Sequence, residues 1–176
     1  MRRLVYCVAT SLDGFIAGPH GEYDWIMPDS GIDFAAIYAK FDTLLMGRRT
    51  YDVAKTRGDL LTGTGMRIVV VSTTLKPAPG NGPTVISENV SQGIAALKVK
   101  SGTGIWLTGG GVLFRSLLDA GLVDAVEVSV FPVLLGSGTP LLPECARAWL
   151  KLTDCKALPS RVVMLSYSIE RSAQAV

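Results

Sequence analysis

Short apolar runs alternate with segments of helical periodicity over the first two thirds of the chain. Unbroken apolar runs predict buried strands, and apolar positions three or four residues apart predict helices. The predicted strands cover residues 4–10, 43–46, 67–72, 84–87, 104–108 and 126–131. Four helices are predicted. The first begins near Asp33, and the others cover residues 48–55, 91–100 and 112–120. The first of them follows the sequence Ser30-x-x-Asp33, which is typical of a helix N-terminus.

Two further apolar segments, at 150–157 and 161–169, follow each other with only a turn between them. Strands that alternate with helices are typical of a parallel sheet covered on both faces, whereas consecutive strands commonly pair antiparallel. We therefore expect one α/β domain over residues 1–176. Its three layers would enclose a mostly parallel central sheet that ends in an antiparallel C-terminal edge.

Composition removes several functional classes. The chain is 48% hydrophobic and 18% charged, which is typical of a packed globular domain rather than a disordered chain. A net charge of +2 provides no field that favours nucleic acid or a membrane surface, and no apolar run is long enough to span a bilayer. One histidine and three separated cysteines have no metal-ligand spacing, so we predict no metal site and reduced thiols in a cytoplasmic protein.

Three consecutive glycines, among 19 in the chain, directly follow a predicted strand. The sequence Thr108-Gly109-Gly110-Gly111 leads into the helix predicted from Val112. Glycines at such a point leave backbone N–H groups open, and a phosphate can approach them closely. The alternative is a tight strand-to-helix turn that binds no ligand.

Two other strand ends carry groups that bind phosphate. Gly47-Arg48-Arg49-Thr50 follows one strand, and its arginines and hydroxyl can donate several hydrogen bonds. Ser72 and Thr73 add hydroxyls at the end of another. A solvated helix start and ordinary turn chemistry are the respective alternatives. Because ligands of open α/β sheets bind at the carboxyl ends of strands, the three ends together favour one extended ligand such as a dinucleotide.

The loop after the first strand carries acidic residues and an aromatic ring. Asp13 can orient a polar substrate group or form a turn, and Trp25 can line a substrate pocket or fill the core. Asp29 and Asp33 can each place a carboxylate in the cleft or cap the following helix. His20 lies in a turn rich in glycine and proline, so the predicted proton source is a water or a carboxylate, with Asp13 and Asp33 as candidates.

Taken in order, these segments resemble the dihydrofolate reductase-like superfamily. Within it they resemble the branch that contains the C-terminal reductase domain of the bacterial riboflavin biosynthesis protein RibD. The resemblance covers about residues 2–170. It rests on Ser-Leu-Asp-Gly-Phe-Ile-Ala (11–17), Asp-Trp (24–25), Leu-Leu-Met-Gly-Arg-Arg-Thr-Tyr (44–51), Val-Val-Val-Ser (69–72), Thr-Gly-Gly-Gly (108–111), Leu-Leu-Asp-Ala-Gly-Leu-Val-Asp (117–124), Phe-Pro (131–132) and Leu-Gly-Ser-Gly-Thr-Pro-Leu-Leu (135–142).

The resemblance implies an NADPH-dependent reductase of the dihydrofolate or phosphoribosylaminouracil reductase type. Such an enzyme transfers a hydride to a small pterin- or pyrimidine-like heterocycle or to a carbonyl compound. Arg48 would contact the adenosine 2′-phosphate and Thr50 the pyrophosphate. The residues implied to bind NADPH are Ala9, Ile16, Gly47, Arg48, Arg49, Thr50, Ser72, Thr73, Thr108, Gly109, Gly110, Gly111, Val112, Leu113 and Phe114. The loop at 9–17 would cover the nicotinamide, and Phe15, Trp25 and Asp29 would bind the substrate.

The sequence departs from these relatives at two points. Dihydrofolate reductases place a carboxylate on the helix after the tryptophan, and the corresponding residue here is Ser30, which argues against folate. The riboflavin-pathway reductase usually follows a deaminase domain. A chain of 176 residues has no room for one, so we expect a stand-alone reductase here. The alternative is an NADP(H)-binding or sensing protein without turnover; a hydrolase built on Ser11, Asp13 and His20 lacks a nucleophile elbow. The apolar C-terminal strands and the resemblance also imply a homodimer.

Overall fold

A computed structural model of the chain describes residues 1–57, 61, 63–77, 80 and 82–170. The strands are β1 (Arg3–Ser11), β2 (Phe15–Ala17), β3 (Thr43–Gly47), β4 (Arg67–Val71), β5 (Thr84–Ile86), β6 (Gly104–Gly109), β7 (Ala125–Phe131), β8 (Thr139–Pro140), β9 (Trp149–Ala157) and β10 (Val163–Glu170). The helices are α1 (Phe34–Tyr38), α2 (Arg48–Arg57), α3 (Val90–Val99) and α4 (Gly111–Asp119).

The predicted α/β architecture is confirmed. Within the described residues, eight strands form one sheet in the order β5-β4-β3-β6-β1-β7-β10-β9. Strand β1 lies inside it and alternates between two cores, with Leu4 and Tyr6 on one face and Val5 and Cys7 on the other. Helices α3 and α4 pack on the first core, and α1 and α2 pack on the second. The central strands are apolar on both sides because helices cover both faces.

The strands that carry the candidate phosphate-binding motifs all run the same way. Strand β3 pairs parallel with both β4 and β6, and β1 pairs parallel with both β6 and β7. Their carboxyl ends therefore meet at one edge of the sheet. At the far side, β10 pairs antiparallel with β7 and with β9, which confirms the predicted antiparallel edge.

Helix α1 differs from its prediction. It covers only five residues, Phe34–Tyr38, and Asp33 is itself the N-cap, with its carboxylate accepting a hydrogen bond from Ala36 N at 2.9 Å. Ser30 therefore does not cap it. An acid directly before the first helical residue is a strong N-cap, so Asp33 sets the helix start without a partner three residues earlier. The end of α4 follows its prediction, because Gly121 adopts a φ of 65°.

A second, two-stranded sheet was not predicted. Residues 11–21 and 132–143 are expected as loops, yet β2 and β8 pair within them, with Phe15 opposite Pro140 and Ala17 opposite Thr139. Strands of three and two residues have too few positions for a period-two pattern to be detected in the sequence. Among the described residues, no helix is long and apolar enough to cross a membrane.

Candidate nucleotide and substrate site

Three of the predicted ligand-binding strand ends lie side by side. Strands β4, β3 and β6 are neighbours in the sheet, and their carboxyl ends carry Ser72, the 47–50 motif and the glycines at 109–111. A Cβ built on Gly109 would lie 3.3 Å from Thr50 Oγ1, so the second and third motifs are in contact. The structure therefore brings together groups that are up to about sixty residues apart in the sequence.

The glycine motif has a backbone that other residues rarely adopt. Gly109 has a φ of 158° and Gly110 a φ of 88°, and Gly110 is the N-cap of α4 without a side-chain cap. The first N–H groups of this nine-residue helix therefore receive no capping side chain, which suits an anion. A Cβ on Gly111 would lie 3.1 Å from the carbonyl oxygen of Leu141, so this helix start packs closely against the 139–143 segment.

Thr108 precedes these glycines at an irregularity of the sheet. Between β3 and β6 the register passes from Leu107 directly to Gly109, so Thr108 is an extra residue in the pairing with β3. Such bulges commonly redirect a side chain next to a functional site. The Thr108 hydroxyl is buried and has no hydrogen-bond partner among the described residues. A buried hydroxyl without a partner is costly, and a bound ligand would satisfy it.

The arginine motif opens onto free space. A Cβ on Gly47 would meet no atom within 4 Å. Arg48 begins α2 and donates from Nε to both oxygens of Asp52, at 2.8 and 3.0 Å. That contact orients the guanidinium and leaves its terminal N–H groups for another acceptor. Arg49 is exposed beside it, so the motif presents two cations to solvent.

Ser72 and Thr73 have different environments. Ser72 is buried, and its Oγ accepts hydrogen bonds from the backbone N–H groups of Thr74 and Leu75, at 3.2 and 3.0 Å. Its side chain therefore shapes the turn after β4. Thr73 is exposed on that turn. Of the two hydroxyls, the one at Thr73 is open to a ligand.

Helix α4 is held against β1 by an aromatic pair. The rings of Tyr6 and Phe114 stack with centroids 3.9 Å apart. The Tyr6 hydroxyl donates to the Leu141 carbonyl oxygen at 3.2 Å, and burial raises the pKa of this phenol. Leu113 is buried in the same core, whereas Val112 is exposed. Leu113 and Phe114 therefore fix the helix start, and Val112 is the side chain of this segment that faces outward.

Asp13 joins the first loop to the segment after β7. Its carboxylate accepts hydrogen bonds from Ser11 Oγ at 2.6 Å, from Gly136 N at 2.7 Å and from Leu135 N at 3.1 Å. The Ser11 hydroxyl and the two backbone amides hold the pKa of this carboxylate below its usual value. The Asp13 side chain thus remains ionised near neutral pH and holds two loops together.

Each candidate proton donor uses its carboxylate in a structural hydrogen bond. Asp13 accepts three hydrogen bonds, as described, and Asp33 caps α1 at the protein surface. The structure gives both a structural contact, and their predicted catalytic roles stay predictions. Ile16 and Phe15 are half-buried in β2, and Ala9 packs on the small core around Phe131.

A cavity of about 240 Å³ lies at the carboxyl ends of β1 and β7. Its lining residues are Trp25, Met27, Pro28, Asp29, Phe131, Pro132, Val133, Ser160 and Val162. The cavity brings together two of the predicted substrate-binding residues, Trp25 and Asp29, while Phe15 is not part of its lining. Trp25 meets Phe131 edge to face at 5.7 Å, and Asp29 accepts hydrogen bonds from Gly31 N at 2.7 Å and from Ser160 Oγ.

Sequence reasoning missed the contribution of the second half of the chain to this cavity. Phe131 ends β7 and Val133 follows it, and Ser160 and Val162 precede β10. The Phe-Pro pair at 131–132 was the available signal, since an aromatic residue at a strand end can line a pocket. Nothing local marks Ser160 or Val162. Among the described residues, no cluster of three or more His, Cys, Asp or Glu side chains could hold a metal.

Comparison with known proteins identifies relatives over nearly the whole chain. The family model described as the RibD C-terminal domain matches residues 2–164. The uncharacterized protein YyaP of Bacillus subtilis (strain 168) is 31% identical over 177 residues, which cover 94% of this chain and 94% of YyaP.

Solved structures give the same picture of the fold. A putative riboflavin biosynthesis protein from Shewanella sp. PV-4 has a TM-score of 0.84 at 28% identity, covering 96% of this chain and 99% of that one. A dihydrofolate reductase from Enterococcus faecalis, complexed with NADP(H), has a TM-score of 0.70 at 19% identity, covering 95% of this chain and 96% of that one. The latter likeness shows a shared fold.

Proposed function

The chain belongs to the RibD C-terminal domain family, and we propose that it is an NADPH-dependent reductase that transfers a hydride to a small heterocyclic or carbonyl substrate. The reductase-type fold is common to the family and to the dihydrofolate reductase neighbour. The cofactor and the reaction are inferred from the site.

The observation that carries the proposal is the row of strand ends along β4, β3 and β6. An exposed hydroxyl, two arginines and an open helix start follow one another along a single edge of the sheet. A dinucleotide has the matching sequence of parts, with an adenosine phosphate at one end and a pyrophosphate between its two nucleosides. Ligands of open α/β sheets bind at this edge.

The residues present fit NADPH. Arg48 and Arg49 would hold the adenosine 2′-phosphate, Thr73 would lie beside the adenosine, and Thr50 with the N–H groups at 110–112 would hold the pyrophosphate. The unpartnered Thr108 hydroxyl lies where the chain passes from β6 to the glycines and would bind the nicotinamide end. When bound, the cofactor supplies the hydride.

The protein's own residues would position the reactants and exclude water. Asp13 keeps the first loop attached to the segment after β7, beside the glycine helix start. Tyr6 and Phe114 keep that helix start in place. Because three hydrogen bonds hold Asp13 ionised and Asp33 caps α1, water is the proton source that we propose.

Thr108 provides the first test. We expect calorimetry to detect NADPH binding with a Kd between about 1 μM and 1 mM, the usual range for enzyme substrates. Thr108→Val removes the unpartnered hydroxyl at nearly constant volume. We expect NADPH affinity to fall by about fivefold to tenfold, the effect of one lost hydrogen bond, while the melting temperature stays the same or rises.

Thr103→Val is the matched control, because Thr103 is exposed and directly precedes β6, at the opposite end of that strand from the glycines. It should leave NADPH affinity unchanged. An absence of NADPH binding to the wild-type protein at millimolar concentration would overturn the proposed cofactor. Unchanged NADPH affinity in Thr108→Val would show that the Thr108 hydroxyl does not contact the cofactor.

A second candidate is an NADP(H)-binding protein that performs no reduction. The observation in its favour is the engagement of both Asp13 and Asp33 in hydrogen bonds to the backbone. The two candidates differ in one assay. Oxidation of NADPH with any member of a panel of pterins, pyrimidines, quinones and aldehydes supports the reductase, and binding without oxidation across that panel supports the sensor.

The proposal extends to assembly and location. Strand β9 is an edge strand with three exposed apolar side chains, at Trp149, Leu150 and Leu152. A long apolar edge is an aggregation hazard unless another surface covers it, and a second copy of the chain is the simplest cover. The three thiols are free, which fits the cytoplasm. Neither nucleic acid nor a membrane is proposed as a partner.

Leu152→Lys tests the dimer. Leu152 is 51% exposed on β9, so lysine costs the isolated chain little but introduces an unpaired charge into a covered interface. We expect sedimentation to give the mass of two chains for the wild type and of one chain for the variant. Val99→Lys, at an exposed position ending α3, should leave the mass at two chains. A wild-type protein that sediments as one chain at micromolar concentration would contradict the dimer.

A further inference from the structure

The cavity at β1 and β7 lies on the far side of the glycine motif from the arginines. In the strand order β4-β3-β6-β1-β7, the arginine motif follows β3, which lies two strands from β1 and three from β7. The cavity lies at the β1 and β7 end of the same edge. Ala9, at the end of β1, packs on Phe131 of the cavity wall. If the dinucleotide lies along β4, β3 and β6 as proposed, the cavity is where the substrate lies.

Apolar groups form most of the cavity wall. Trp25 and Phe131 meet edge to face, which holds two aromatic surfaces at a fixed angle, and valine, proline and methionine side chains complete the wall. Such walls favour a flat, apolar ring. A volume of about 240 Å³ suits one small ring system.

The lining of the cavity carries a negative charge and no positive one. Asp29 is its ionisable residue, and no lysine, arginine or histidine is among the nine lining residues. Both Asp29 oxygens accept a hydrogen bond, from Gly31 N and from Ser160 Oγ, so the carboxylate is held in place. A carboxylate accepts about four hydrogen bonds in all, and this one can therefore take a further N–H or O–H donor from a ligand.

A phosphate in this cavity would meet a carboxylate and no cation. Two like charges a few ångströms apart repel strongly in a partly buried site, and a buried anion without a partner is costly. Arg161, next to Ser160, is exposed and is not part of the lining. The cations of the site are concentrated at Arg48 and Arg49 instead, two strands away from β1.

We infer that the substrate is an uncharged aromatic heterocycle or aromatic carbonyl compound that carries an N–H or O–H donor for Asp29 and no phosphate group. This inference rests on the proposed function, because the reductase assignment makes the cavity a substrate site. It separates this chain from reductases that act on a phosphoribosyl compound.

A matched pair of ligands tests the inference. The phosphoribosylaminouracil of the riboflavin-type reductases is compared with the same compound after removal of its phosphate by a phosphatase. Binding is followed by calorimetry, with tryptophan fluorescence, to which Trp25 of the cavity contributes, as a second signal. We expect the dephosphorylated compound to bind at least about tenfold more tightly, as repulsion by one charge predicts.

Two variants and a control show which group discriminates between the phosphorylated and the dephosphorylated ligand. Asp29→Asn removes the negative charge at constant shape, and we expect it to reduce the difference between the two ligands by weakening the uncharged one and strengthening the phosphorylated one. Val133→Lys adds a cation to the lining and should reverse the preference. Arg161→Gln should leave the preference unchanged, because Arg161 is not part of the lining.

Several outcomes would overturn the inference. Tighter binding of the phosphorylated compound than of the dephosphorylated one would do so. A loss of binding of the phosphorylated compound in Arg161→Gln would do so as well. Binding of neither compound to a protein that binds NADPH would also overturn it. Absence of NADPH binding, in contrast, counts against the proposed cofactor, while the preference between the two ligands is still measured without cofactor.

Discussion

Replacing Arg48 with glutamine should lower the affinity for NADPH by about tenfold to 100-fold and leave the affinity for NADH nearly unchanged. The Arg48 side chain is 40% exposed, and its Nε contact with Asp52 already orients the guanidinium, so the terminal N–H groups can form a charge-assisted pair with the 2′-phosphate. NADH lacks that phosphate. Calorimetric titration of both dinucleotides gives the two affinities directly.

Arg115→Gln is a matched control for Arg48→Gln. Arg115 forms the same kind of pair with a residue four positions on, Asp119, but on the exposed side of α4. Such surface pairs contribute about 0.3–0.5 kcal/mol, so both variants should lose the same small amount of stability. Only the Arg48 variant should change the ratio of the two affinities. An equal loss for NADPH and NADH would show that Arg48 does not contact the 2′-phosphate.

Replacing Lys98 with methionine should lower the free energy of unfolding by about 3 kcal/mol, the cost of breaking a buried ion pair. Lys98 is 3% exposed on α3, and its Nζ donates to Asp124 at 2.5 Å and to the Leu122 carbonyl oxygen at 2.6 Å. Asp124 also accepts a hydrogen bond from Leu4 N at 2.8 Å. The variant removes the Lys98 ammonium group from a carboxylate that is largely buried.

Urea unfolding of Lys98→Met measures this loss, and Lys100→Met, at an exposed position, is the control. The ion pair lies at the amino ends of β1 and β7, opposite the edge that carries the nucleotide motifs. We therefore expect NADPH affinity at a temperature where both proteins are folded to stay within about twofold of the wild type. A large change in NADPH affinity would show that the two edges of the sheet are coupled.

Much of the fold was predictable because its signals are local. A few neighbouring residues are enough to predict the buried strands β1, β3, β4 and β6 from their apolar runs. The same holds for the glycine that terminates α4. Predicted strands at the two ends of the sheet were correct to within two residues. The differences concern short elements. Helix α1 was predicted, but it starts after Asp33 and covers only five residues. The pair β2-β8 joins distant segments, and strands of three and two residues carry too few positions for a periodic signal.

The candidate site divides in the same way. The glycine and arginine motifs were predicted as phosphate-binding groups from the sequence, because glycines and arginines directly after a strand are typical of phosphate binding. The role of Asp13 was not visible, because its carboxylate is bound by the backbone of Leu135 and Gly136, more than 120 residues away. Phe15, which was expected at the substrate, lies in β2 and is not part of the lining of the cavity, so its role stays a prediction.

The sequence by itself determined which segments become strands and helices, which strand ends carry phosphate-binding groups, and which family the chain resembles. These properties depend on the backbone and side chains of neighbouring residues. The tertiary structure alone decided the order of the strands, and with it the row of motifs, the apolar cavity with a single carboxylate, and the exposed edge at β9. The physical reason is that each of these depends on packing between segments far apart in the chain, which local patterns do not encode.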